Sequence, residues 1–137
     1  MSDYFVWNEA KLGLHIPEMD QEHLVLIALM NKLHDLREKK AGRAEVATAM
    51  KGLASYTVKH FADEEAYMAR IQYPGIATHK GVHKQLLGRF MDFQQAFDRD
   101  GQLGDDFFVF LKMWLNAHIS GVDMKYSQHV AASARSA

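Results

Sequence analysis

Eight of the 137 residues are histidine, and several fall at spacings that a helix converts into a metal site. His60 and Glu64 are four positions apart, as are His79 and His83. Residues at i and i+4 share a helical face, roughly 6 Å apart along the axis, so each pair can converge on one centre. His118 and Asp123 add a second mixed pair, and His23 stands alone upstream. Imidazole suits Fe, Zn, Cu or Ni, and a carboxylate can bridge two ions through its two oxygens. Five imidazoles and two carboxylates suit two ions better than one. With both carboxylates and an oxo or hydroxo bridging, three histidines complete a six-coordinate ion, and two leave its partner with an open position.

These residues need helices to position them. Proline occurs only at Pro17 and Pro74, leaving long uninterrupted stretches. Residues 1–18 read as an irregular arm in which Trp7, Leu12, Leu14 and Ile16 can pack on a bundle. A first helix, capped by Asp20, runs to about Lys39 with Leu24, Ile27, Met30 and Leu33 at helical spacing. Lys39-Lys40-Ala41-Gly42 reads as its basic end followed by a glycine stop. The second helix runs from about Arg43 to Arg70, and Gln72-Tyr73-Pro74-Gly75 is a turn. The third spans about Ile76 to Asp98. The fourth begins near Gly104-Asp105 and ends about Tyr126, before a small, polar, fraying tail. The result is an all-α, antiparallel up-down-up-down four-helix bundle in a single domain of residues 1–137: arm 1–18, bundle 19–127, tail 128–137.

The fourth helix carries a conflict. Five residues at about 100° each put His118 and Asp123 roughly 140° apart on an ideal helix, too far for one centre. The spacing therefore predicts a π-type turn or local unwinding near the site, with Gly121 lowering its cost.

HxxxE, HxxxH and HxxxxD, in order and preceded by Ile-Pro-Glu-Met-Asp-Gln-Glu-His23, resemble the hemerythrin family. The resemblance runs from Trp7 to Tyr126 and includes His60-Phe-Ala-Asp-Glu-Glu and Trp114-Leu-Asn-Ala-His118-Ile. One HxxxH alone is weak; the ordered set is specific. The resemblance implies two non-haem irons per chain with a bridging oxo or hydroxo group. His79, His83 and His118 would hold one iron and His23 and His60 the other, with Glu64 and Asp123 bridging. It implies reversible O2 binding at the second iron: two electrons and the bridging hydroxide's proton pass to the ligand and return on release. Phe61, Trp114, Leu115 and Ile119 match the family's apolar pocket positions. Nitric oxide or small anions would compete for the same place.

Other polar residues have plainer readings. His15, His34 and His129 match no ligand position. Glu22 and Glu65 are expected on solvated faces, Tyr126 in helix-end packing with an approach to the metal site as the alternative, and Phe90, Phe93, Phe97, Phe107 and Phe110 in the core. Asp20 is explained by its cap, with a hydrogen bond to a ligand as the alternative.

Composition narrows the function. The absence of cysteine excludes disulfides, thiolate catalysis and iron–sulfur clusters. A net charge of −1 provides no field for nucleic acid or an anionic membrane. The start, MSDYFVWNEA, has no basic or apolar signal region, and the longest apolar run, Leu24 to Met30, is too short for a membrane span. A cytoplasmic, non-enzymatic protein is expected, with no protein partner identifiable. A carboxylate-rich oxidase or ferritin needs paired Glu-x-x-His motifs, which are absent. Sensing of O2, redox state or nitric oxide through a partner, and iron storage, are the alternative uses of the same site.

Overall fold

A computed structural model describes residues 4–136. Among them, an arm with one short helix, α1 (Glu9–Leu12), leads into three long helices: α2 (Pro17–Glu38), α3 (Arg43–Arg70) and α4 (Ile76–Asp100). The last helical element is composite. It runs as α5 (Asp105–Met113), a π-helical segment (Trp114–Asp123) and α6 (Met124–Ser136) without a break. Short loops make successive long helices antiparallel, giving the expected four-helix bundle. The last element continues past Tyr126 to Ser136, so the stretch set apart as a tail from 128 is helical as far as it is described.

Local chemistry explains most boundaries. Pro17 opens α2 at a first-turn position, where its missing N–H costs nothing. Asp20 is not the cap: Ile16 holds that position, and the Asp20 carboxylate accepts from the Leu14 N–H at 2.9 Å. It ties the arm to the helix instead. At the other end of α2 the left-handed residue is Lys40 (φ 56°), while Gly42 is extended and caps α3. Gly101 (φ 72°) ends α4 in the left-handed conformation that a glycine adopts without strain.

The antiparallel arrangement sorts the interior into two halves. The beginning of α2, the end of α3, the beginning of α4 and the later part of the last element meet at one level. That level holds all seven metal-ligand candidates. The other half is apolar, with Phe90, Phe97, Phe107, Phe108 and Phe110 buried and Phe93 packed against them. On α2 the inward residues are His23, Leu26, Ile27, Met30 and Leu33; Leu24, expected among them, is 39% exposed. Ile27 keeps the expected stripe, but its centre lies two positions beyond Leu24.

The irregularity required of the fourth helix is present and extends over ten residues. The Met124 N–H still bonds the Ile119 carbonyl, five residues back. In this i→i+5 register, residues five apart come close to one another, and His118 Nε2 lies 3.0 Å from Asp123 Oδ1. Gly121 contributes less than expected. It is exposed, its φ is not positive, and a Cβ built on it meets nothing within 4 Å. The register is set by the residues on the buried face. Gly121→Ala should therefore preserve the π segment and be neutral to stabilising, by up to about 1 kcal/mol through reduced freedom of the unfolded chain. A thermal melt checks the sign, and a Tm drop of several degrees would contradict it.

Candidate metal centre

Each long helical element delivers ligand-type side chains to the same level of the bundle: His23 from α2, His60 and Glu64 from α3, His79 and His83 from α4, His118 and Asp123 from the π segment. All seven are buried, none more than 4% exposed. Their donor atoms form two groups within which every atom lies within 4.8 Å of the others. One comprises Glu64, His79, His83, His118 and Asp123; the other comprises His23, His60 and Glu64. Glu64 belongs to both. Asp123 also reaches the second group, with Oδ2 at 3.3 Å from His23 Nε2.

The contacts suit a cation between nitrogen and oxygen. His79 Nε2 approaches Asp123 Oδ1 at 2.9 Å and Glu64 Oε1 at 3.2 Å. Yet both ring nitrogens of His23, His79 and His118, and both Asp123 oxygens, are buried without a hydrogen bond. An unsatisfied buried polar atom ordinarily costs on the order of 1–3 kcal/mol, so eight at one place mark a donor set arranged for something other than hydrogen bonding. The nitrogen- and oxygen-rich, thiolate-free set fits iron.

Electrostatics lead to the same conclusion. Burial disfavours the His23 and His79 cations, but Asp123 and Glu64 outweigh it and push both up to about 9. Burial opposes the Glu64 anion as well, yet His23, His79 and His83 hold its carboxyl well below the usual range. Asp123 is held low too: burial and the Glu64 charge oppose its ionisation, while His118 and His23 prevail. The two buried carboxylates and the His23 and His79 imidazoles thus favour one another's charged forms.

Three residues read as peripheral turn out to orient this set. The Glu22 carboxylate lies 2.7 Å from His60 Nδ1, and Glu65 lies 2.8 Å from His83 Nδ1. Neither is on a merely solvated face. A carboxylate on the far ring nitrogen fixes the imidazole's tautomer and aims its other nitrogen inward. Tyr126, fully buried, donates its hydroxyl to Glu64 Oε2 at 2.8 Å, so it does more than pack the helix end. Burial and the nearby Glu64 and Asp123 charges push its phenol far up, keeping it a donor. The signals were in the sequence: Glu22 precedes His23, Glu65 follows Glu64, and Tyr126 lies three residues after Asp123. Only the packing of one helix on the next shows which partner each meets.

The four apolar candidates are buried beside the donor set. Phe61 stacks on His83 with ring centroids 3.8 Å apart and meets Trp114 edge-on at 5.5 Å. Leu115 and Ile119 flank His118 on the inward side of the π segment, at 3% and 1% exposure. The remaining histidines lie elsewhere. His34 stacks on Tyr4, His15 is exposed, and His129 approaches the Ile71 carbonyl at 3.4 Å.

Comparison with known proteins agrees with this geometry. The profile of the family described as "Hemerythrin HHE cation binding domain" matches residues 14–130. A bacteriohemerythrin of Stenotrophomonas maltophilia is 33% identical over 93% of this chain and 82% of its own length. A myohemerythrin of Riftia pachyptila is 30% identical over 89% of this chain and 90% of its own. A crystal structure of wild-type hemerythrin superposes with a TM-score of 0.84 at 31% identity, covering 91% of this chain and 96% of that one.

A pH dependence follows. Groups whose proton affinity is raised on folding stabilise the fold fully below their unfolded value and cease to do so as pH rises through the folded one. For His23 and His79 that window runs from 6.5 to about 9. The metal-free protein should lose stability across that range. Metal loading at pH 7 should release about two protons from these rings, as ligating histidines must be neutral. Denaturant midpoints against pH and proton release into a weakly buffered solution check both. Loading without proton release would contradict the charge balance.

Proposed function

The chain belongs to the hemerythrin family, and on that premise we propose that it binds O2 reversibly at a pair of non-haem irons. The observation that carries this reading is the division of seven buried donors into two adjoining groups that share Glu64. In this reading His79, His83 and His118 hold one iron, His23 and His60 the other, and Glu64 and Asp123 serve both. The group with fewer histidines would leave room for a small ligand on the metal it held. When bound, the iron pair supplies two electrons to O2 and takes them back on release. The protein's own residues supply geometry and dryness. Glu22 and Glu65 aim His60 and His83, Tyr126 fixes Glu64, and Phe61, Trp114, Leu115 and Ile119 keep water from the site. A dry pocket slows the loss of charged, reduced oxygen, which escapes less readily without water. Only two carboxylates enter the set, which favours reversible binding over oxidative chemistry, so the protein is a binder rather than an enzyme. No described helix is long and apolar enough to cross a membrane, in keeping with a cytoplasmic carrier or store.

Purified protein from iron-replete cells should contain about two irons per chain. Its reduced form should show an absorbance change on oxygenation that an inert gas reverses. One tightly held zinc and no iron would overturn the assignment.

Leu115 tests the pocket. It precedes His118 by three residues on the same buried face. Leu115→Ala should leave every ligand in place and open a void or path of about water size. Iron stoichiometry should be retained while the oxygenated form autoxidises faster, as read by absorbance decay. A lower Tm with unchanged decay would reduce Leu115 to ordinary core.

A further inference from the structure

The cage is closed on every side, so an ion needs a route in and out. The arm covers the groove between α2 and the last helical element, the two elements that contribute His23 and Asp123. It is bound to both. On α2, the Asn31 side chain accepts from the Phe5 N–H and donates to the Phe5 carbonyl, each at 2.8 Å, and Asp20 takes the Leu14 N–H. On the last element, the Ser127 hydroxyl donates to the Leu14 carbonyl at 2.6 Å. Between these ties, α1 lies against the π segment more closely than α2 does, and the arm's own Leu12, Leu14 and Ile16 are buried. The walls that α3 makes with α2 and with α4 are long helices packed directly on one another. Among the described residues the wall between α2 and the last element is completed by a strap with a single turn of helix, held by the polar ties at its ends, by its buried Phe5, Leu12, Leu14 and Ile16, and by Tyr4 stacked on His34. It also contains the π segment, whose register departs from the ordinary helix. Segments of this kind open at far lower cost than whole helices.

Building on the di-iron reading above, we propose that residues 4–16 form the gate of the metal centre, and that iron enters and leaves along the α2–π seam when this strap lifts. Asn31 and Ser127 are its latches. Asn31 is two turns beyond His23 on α2, and Ser127 is one turn beyond Asp123. Lifting the arm uncovers the back of His23 and Asp123 and removes the support of the π segment, loosening His118 and Asp123 together.

The absence of cysteine permits a direct test. A thiol placed on the strap's buried side by Leu12→Cys reports opening through its labelling rate, and ferrozine extraction from the reduced protein reports iron release. Asn31→Leu removes two latch hydrogen bonds, so both rates should rise in parallel by roughly tenfold or more. Amide exchange should accelerate over residues 114–123 and not in α3. Ser127→Ala, a milder change, should raise both rates about fivefold, and it carries the test if Asn31→Leu does not fold. Phe97→Leu, in the far half of the core, should lower global stability without speeding extraction. Faster labelling with unchanged extraction overturns the gate. So does extraction that follows global stability in Phe97→Leu as closely as in the latch variants. If the chain takes up no iron, the di-iron reading itself fails and the gate falls with it, even if the labelling rates behave as expected.

Discussion

Glu64 and Asp123 are carboxylates at zero exposure in the interior of a small helical bundle, and every other feature of the site follows from the need to stabilise them there. An uncompensated buried anion costs many kcal/mol and would protonate instead. Here the compensation is a shell of five imidazoles, arranged so that either protons or metal ions can balance the charge. This makes the fold and the site mutually dependent. The helices bring the histidines together, and the histidines make it tolerable to bury the carboxylates on which the helices close.

The same constraint reshapes the backbone. Asp123 has to share a centre with His118, and an α-helical register would aim them apart. The bundle responds with a π segment instead of a kink, because i→i+5 bonding keeps the backbone hydrogen-bonded while bringing residues five apart together. The strain is not absorbed by a glycine, since nothing at Gly121 requires one. It is held by packing: Trp114, Leu115, His118, Ile119 and Asp123 are all buried on one side, with α1 laid along the segment.

Around the seven donor residues lies a ring of residues that fix them. Glu22 on α2 reaches His60 on α3, Glu65 on α3 reaches His83 on α4, and Tyr126 on α6 reaches Glu64 on α3. Each bond crosses between helices. The ring therefore aligns the bundle as well as the imidazoles, and a change in helix packing would be felt directly at the donor atoms.

The sequence by itself determined the candidate donor set, the number of long helices and even the place where one of them had to be irregular. These are local properties: i+4 spacings, a five-residue spacing that no α-helix can reconcile, turn dipeptides, and an ordered motif set. What only the tertiary structure decided depends on neighbours distant in the chain. Glu22 and Glu65 read as solvated because charge adjoining a ligand in sequence points elsewhere on its own helix, and a partner 38 or 18 residues away is invisible to periodicity. Asp20 read as a cap because its type and place fit one, while the N–H it serves belongs to the arm. Leu24 read as core because apolar spacing defines a stripe without fixing its centre, and the rotation of α2 about its axis is set by His23 facing the carboxylates.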